Sequence, residues 1–72
     1  MPQLPILSGE EIIKALSKIG YQVLRQRGSH IRLSCTGRKN ITIPDYKAIS
    51  RGLLRKILRD TEISADEFIR LL

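Results

Sequence analysis

Few side chains in this 72-residue chain are equipped for chemistry. His30 is the single histidine; it follows Gly28-Ser29 and opens the stretch Ile31-Arg32-Leu33-Ser34-Cys35. An imidazole ordinarily titrates near neutrality, so it can take or give a proton at physiological pH. RNA cleavage is a reaction that one such group can assist, because the substrate brings its own nucleophile. The ribose 2′-hydroxyl attacks the adjacent phosphate once its proton is removed or the leaving oxygen is protonated. Help of this kind contributes typically ~10²–10⁴-fold. Cations such as Arg27 and Arg32 can stabilise the charge that develops on the phosphate. The scheme requires no metal and no cofactor, and neither is expected. One cysteine and one histidine cannot build a zinc site, and no acidic cluster or Gly-rich phosphate loop is present. Cys35 alternates with apolar residues and reads as a core thiol rather than a nucleophile. A lone histidine beside a turn is ordinarily a plain surface residue, and Gly28 and Ser29 are ordinary turn formers. The residue types alone lead as far as a basic, RNA-binding-like domain.

The elements that must position His30 follow from local patterns. Ser8 and Glu11 have capping-box spacing, with Leu7 and Ile12 placed as a hydrophobic staple. Ile12, Ile13, Leu16 and Ile19 then recur at helical spacing, and Gly20 is the expected stop. From Tyr21 to Arg27 the residues favour a strand, but Val23 and Leu24 are both apolar, so its parity stays open and a bulge is one way to reset it. A second strand alternates well, with Ile31, Leu33 and Cys35 on one side and His30, Arg32 and Ser34 on the other. After a turn at Thr36–Lys39, Ile41 and Ile43 repeat the inward pattern, Asn40 and Thr42 point outward, and Pro44 ends the strand. A second helix is expected from about Ser50, burying Leu53, Leu54, Ile57 and Leu58 and exposing Arg51, Arg55, Lys56 and Arg59. Ser64 with Glu67 is a second capping-box spacing, with Ile63 and Phe68 as its staple. The expected fold is a single α+β domain over residues 1–72, α-β-β-β-α with a short C-terminal helix and a three-stranded antiparallel meander. This is the order of the double-stranded RNA-binding fold, and it leaves His30 and Arg32 on the solvent face of the sheet.

Charge points the same way. The formal net charge is +6, and ten of the thirteen basic residues lie between Arg25 and Arg59 against one acid, Asp45. The flanks carry three basic residues and six acids. A basic middle of this kind suits phosphates or an acidic protein partner, although a solvated face has the same composition. No apolar run approaches the ~20 residues of a membrane span. The opening stretch lacks a basic region followed by a long apolar run, so no secretory leader is expected. One cysteine fits a reducing, cytoplasmic home.

Gly20-Tyr21 after an amphipathic helix, then Arg25-Gln26-Arg27-Gly28-Ser29-His30, then a strand bounded by Pro44, resembles the HicA toxins. The likeness continues through Lys47, Gly52-Leu53-Leu54-Arg55-Lys56-Ile57-Leu58 and Ile63-Ser64-Ala65-Asp66-Glu67-Phe68, over nearly the whole chain. The resemblance implies the double-stranded RNA-binding fold and a metal-independent endoribonuclease acting on mRNA. It assigns catalysis to His30; the residues expected to contact RNA are Arg25, Arg27, Ser29, Arg32, Lys47, Arg51 and Arg55. It further implies a HicB-like antitoxin as protein partner, with DNA met only indirectly through the toxin–antitoxin complex. The chain departs from the family pattern at Tyr46, near the place of a second histidine, at Leu53, where threonine is common, and at Asp60-Thr61-Glu62. Two other readings stay open beside the toxin: a non-catalytic RNA-binding module using Arg51, Arg55, Lys56 and Arg59, and a basic protein that only docks an acidic partner.

Overall fold

The computed structural model describes residues 3–72, so Met1 and Pro2, the start of the stretch read as no leader, lie outside the described residues. Helix α1 spans Gly9–Ser17 and begins with both halves of the expected capping box. The Glu11 amide donates to Ser8 Oγ at 3.1 Å, and the Ser8 amide donates to Glu11 Oε1 at 3.0 Å. Leu7 and Ile12, the expected staple, are both buried. The helix stops earlier than Gly20: Lys18 is the C-cap, and Gly20 turns the chain with φ +109°.

Three strands follow, β1 Gln22–Arg27, β2 His30–Cys35 and β3 Arg38–Pro44, forming an antiparallel meander with β2 in the centre. The two-residue turn Gly28-Ser29 joins β1 to β2, and Gly28 takes φ +56°, a left-handed conformation glycine adopts without steric cost. The β1–β2 register shifts between Val23 and Arg25, so β1 carries the bulge that its sequence left open. The alternation of β2 is as expected at Ile31 and Leu33, which are buried, and at His30, which is exposed, whereas Cys35, expected in the core, is only half-buried against it.

Helix α2, Arg51–Thr61, is capped by Ser50, and helix α3, Ala65–Leu71, by Ser64. The second capping box is only half made: Ser64 Oγ accepts from the Glu67 amide at 3.1 Å, while the Glu67 carboxylate lies 3.5 Å from the same hydroxyl instead of taking the Ser64 amide. α2 buries Leu54, Ile57, Leu58 and Thr61, whereas Leu53, expected in that stripe, is only half-buried. The helices pack chiefly on β3, which brings Ile12, Leu16, Leu33, Ile43, Leu54 and Phe68 into one core. β1 is left uncovered along its whole length, and Val23 and Leu24 are more than half exposed there. The segment before α1 closes the core from one side: Leu4 and Leu7 are buried, and Leu7 forms an isolated antiparallel bridge with Ile49. No described helix is long and apolar enough to cross a membrane.

Candidate functional site on the exposed face of the sheet

The period-2 geometry of a strand sends neighbouring side chains to opposite faces. With Ile31 and Leu33 committed to the core, His30 and Arg32 must stand on the other face. Their β1 partners are Arg27, opposite His30, and Arg25, opposite Arg32. Directly paired residues share a face, so both arginines join the histidine. The bulge makes this possible. Val23 pairs with Leu33 and so takes the core side. In an uninterrupted strand Arg25 and Arg27, at the same parity, would follow Val23 to that side. The extra residue, Leu24, turns them over.

β3 completes the group. Thr42 lies opposite Arg32, and Arg32 Nη1 donates to Thr42 Oγ1 at 3.0 Å. Arg25, Arg27, His30, Arg32 and Thr42 line one open recess of about 200 Å³. Three guanidiniums line the recess with the imidazole, and no acidic side chain joins them. Such a composition is chemically able to hold an anionic group such as a phosphodiester.

The backbone under His30 is held from both sides, by Arg27 of β1 and Pro44 of β3. Past Pro44 the ladder continues, because the Asp45 amide donates to the Ser29 carbonyl at 2.7 Å. Within the turn, the Gln26 side-chain amide donates to the Gly28 carbonyl at 2.9 Å. A group on a central strand between two paired neighbours is more firmly placed than one on a loop.

The remaining sequence-predicted residues are distributed around this recess rather than inside it. Ser29 is exposed in the adjoining turn, and Lys47 is exposed on the loop after β3, which the Asp45–Ser29 hydrogen bond ties to that turn. Arg51 is half-buried at the start of α2, where its Nε donates to the Leu4 carbonyl and ties helix to N-terminal segment. Arg55 is exposed one turn further along α2, and neither it nor Arg51 lines the recess. Thr42 is the residue that sequence reasoning left out of the site. Its outward parity was legible, but its partnership with Arg32 depends on the β2–β3 register.

The family model for the HicA toxin of bacterial toxin–antitoxin systems matches residues 9–63. The chain belongs to the HicA toxin family. The match runs from the first residue of α1 to just beyond α2, so it contains every residue of the His30 recess and leaves α3 outside. As a HicA toxin the chain is one half of a toxin–antitoxin pair, and membership implies an antitoxin partner. No curated protein and no solved structure matches the chain.

Proposed function

We propose that this HicA toxin is an endoribonuclease of the cytoplasm that cuts mRNA without metal or cofactor and is neutralised by a HicB-like antitoxin. The observation that carries the reading is the exposed imidazole of His30 in a recess with Arg25, Arg27 and Arg32. The guanidiniums hold the phosphate and neutralise the charge that grows on its oxygens in the transition state. His30 removes the proton of the ribose 2′-hydroxyl as that oxygen attacks phosphorus. The bond to the 5′-oxygen breaks, leaving a 2′,3′-cyclic phosphate on one product and a 5′-hydroxyl on the other. The leaving oxygen takes its proton from water, or from the imidazolium just formed. An acidic antitoxin surface laid over the same arginines would block phosphate entry, and DNA would be contacted through that complex.

Induction of the chain and of His30→Ala in a bacterial host, followed by growth and by the integrity of a reporter mRNA, tests the proposal. Arrest with cut mRNA for the parent alone is expected. Equal cleavage by a folded His30→Ala variant would sink the mechanism.

A non-catalytic RNA-binding module has one observation in its favour: among the described residues no hydrogen bond orients the His30 side chain. RNA binding by the purified chain that weakens with salt, yet never yields cut RNA, would select that reading.

A further inference from the structure

Arg32 and Thr42 also border a second recess, between β3 and α2, toward the β3 edge of the sheet and away from Arg25 and Arg27 on β1. Its volume is about 170 Å³, room for about six waters at ~30 Å³ each. Asn40 lines it from β3, and Leu53, Lys56 and Asp60 line it from α2. Those three helix residues recur at spacings of three and four and so share one helix face. The α2 face expected to be simply apolar at Leu53 and simply solvated at Lys56 instead forms a wall.

Two cations, Arg32 and Lys56, line this recess, but unlike the recess at His30 it also holds an acid. Asp60 puts a carboxylate among them, and its ion pair, Lys39 Nζ to Oδ1 at 3.9 Å, is long and made by a lysine side chain that is 72% exposed. Such a pair does little to neutralise the acid. An acceptor pair on Asp60, donors on Lys56 and Asn40, and an apolar wall at Leu53 together suit the polar edge and flat face of a nucleobase. Guanine is the one RNA base with two adjacent donors, N1–H and N2–H, on its pairing edge. Two carboxylate oxygens accept both. Adenine and cytosine set a ring acceptor against the carboxylate, and uracil flanks its single donor with two carbonyls.

We infer that the recess between β3 and α2 is a guanine-recognition site. Because it shares Arg32 and Thr42 with the His30 recess, its guanosine belongs to the strand held there and neighbours the phosphate at His30. That last step rests on the ribonuclease reading; the base preference itself does not.

The test uses 2′-fluoro RNA hexamers of uridine carrying one central guanine, adenine or cytosine, which cannot undergo transfer to the 2′-position. Fluorescence anisotropy with the full chain is expected to show about tenfold tighter binding of the guanine hexamer, within the range of a bidentate contact. Asp60→Asn should abolish the preference for guanine over the other hexamers, and Lys39→Ala should retain it. Thermal melts of both variants check the fold. Equal affinity of the parent for all hexamers, or a guanine preference that survives Asp60→Asn, overturns the inference. Cleavage of ordinary RNA is scored separately. Cutting without a guanine preference in binding defeats only the inference, whereas a preference without cutting supports it and defeats only the ribonuclease reading.

Discussion

His30 stands on the central strand, paired through its backbone neighbours on both sides, while its side chain faces an open recess of arginines. The proposed function divides the labour at this scale: guanidiniums for affinity, imidazole for proton transfer. His30→Gln should therefore lower single-turnover cleavage by about 10²–10⁴-fold and leave affinity for non-cleavable RNA nearly unchanged. A parallel loss of binding would show that His30 holds substrate instead. Tyr21 performs a different task at the same scale. Its buried hydroxyl donates to the Lys39 carbonyl at 2.9 Å. Burial first, and the neighbouring Cys35 second, push the phenol above its ordinary value of 10.0, with Arg38 opposing. The neutral phenol is thus favoured in the native state, and the unfolded chain loses this proton first as the pH rises. The resulting contribution is whole below about pH 10 and shrinks from there toward the higher folded value. Urea unfolding of the parent and Tyr21→Phe between pH 9 and 12 should show the parent's advantage falling with pH.

Among the elements, β1 is the one whose detail controls the site. The helices leave it uncovered, so nothing in the core dictates which way its side chains face; pairing with β2 and the bulge at Leu24 do. Deleting Leu24 should remove the bulge and leave Arg25 and Arg27 opposite Arg32 and His30, because Val23 and Arg25 then alternate directly. RNA affinity should then stay close to the parent's, unlike that of the Arg25→Ala/Arg27→Ala double variant, with the core, which does not use β1, still folded by circular dichroism. A loss as large as the double variant's would mean that the β1–β2 pairing had changed register instead. The junction of α1 with the end of β3 is tighter. The Gly9 amide donates to the Tyr46 carbonyl at 2.9 Å, and a Cβ on Gly9 would collide with the Pro44 carbonyl. Both are backbone groups in fixed elements, so relief requires α1 to shift. Gly9→Ala should cost about 1–3 kcal/mol, the usual scale of overpacking, read as a lower melting temperature.

Across the whole molecule the charge asymmetry acquires a direction. The uncovered side of the sheet carries Arg25, Arg27 and Arg32, and Lys56 borders the adjoining recess. A strand laid across both recesses meets three or four cations. Counterion release from single-stranded nucleic acid gives about −0.7 in log–log slope for each phosphate neutralised. RNA affinity should therefore fall with salt at a slope of about −2 to −3, and Arg27→Ala should make it shallower by about 0.7. A slope near zero would mean that this surface does not meet phosphates. Under the proposed function the same field would also draw an acidic antitoxin to this face.

Much of this molecule was legible in one dimension. The Ser8–Glu11 cap, the alternation of β2, the stop at Pro44 and the α2 stripe at Leu54, Ile57 and Leu58 are local signals, set by capping geometry and by periods of two and 3.6. They were enough to foresee the helix–three strands–helix order and to put His30 and Arg32 on the open face. The glycine-serine turn with the Arg-Gln-Arg run before it sufficed to name Arg25 and Arg27. Which face those arginines take was undecidable from β1 alone, because adjacent Val23 and Leu24 fit either parity. Strand pairing decided it. Arg51, read as an exposed cation, is tied to a carbonyl 47 positions earlier, and Leu53, read as core, walls a recess with Asn40, Lys56 and Asp60. Register and helix docking arise from hydrogen bonds and burial between segments far apart in the chain. A local period determines what a side chain avoids, but only the tertiary structure determines what it meets.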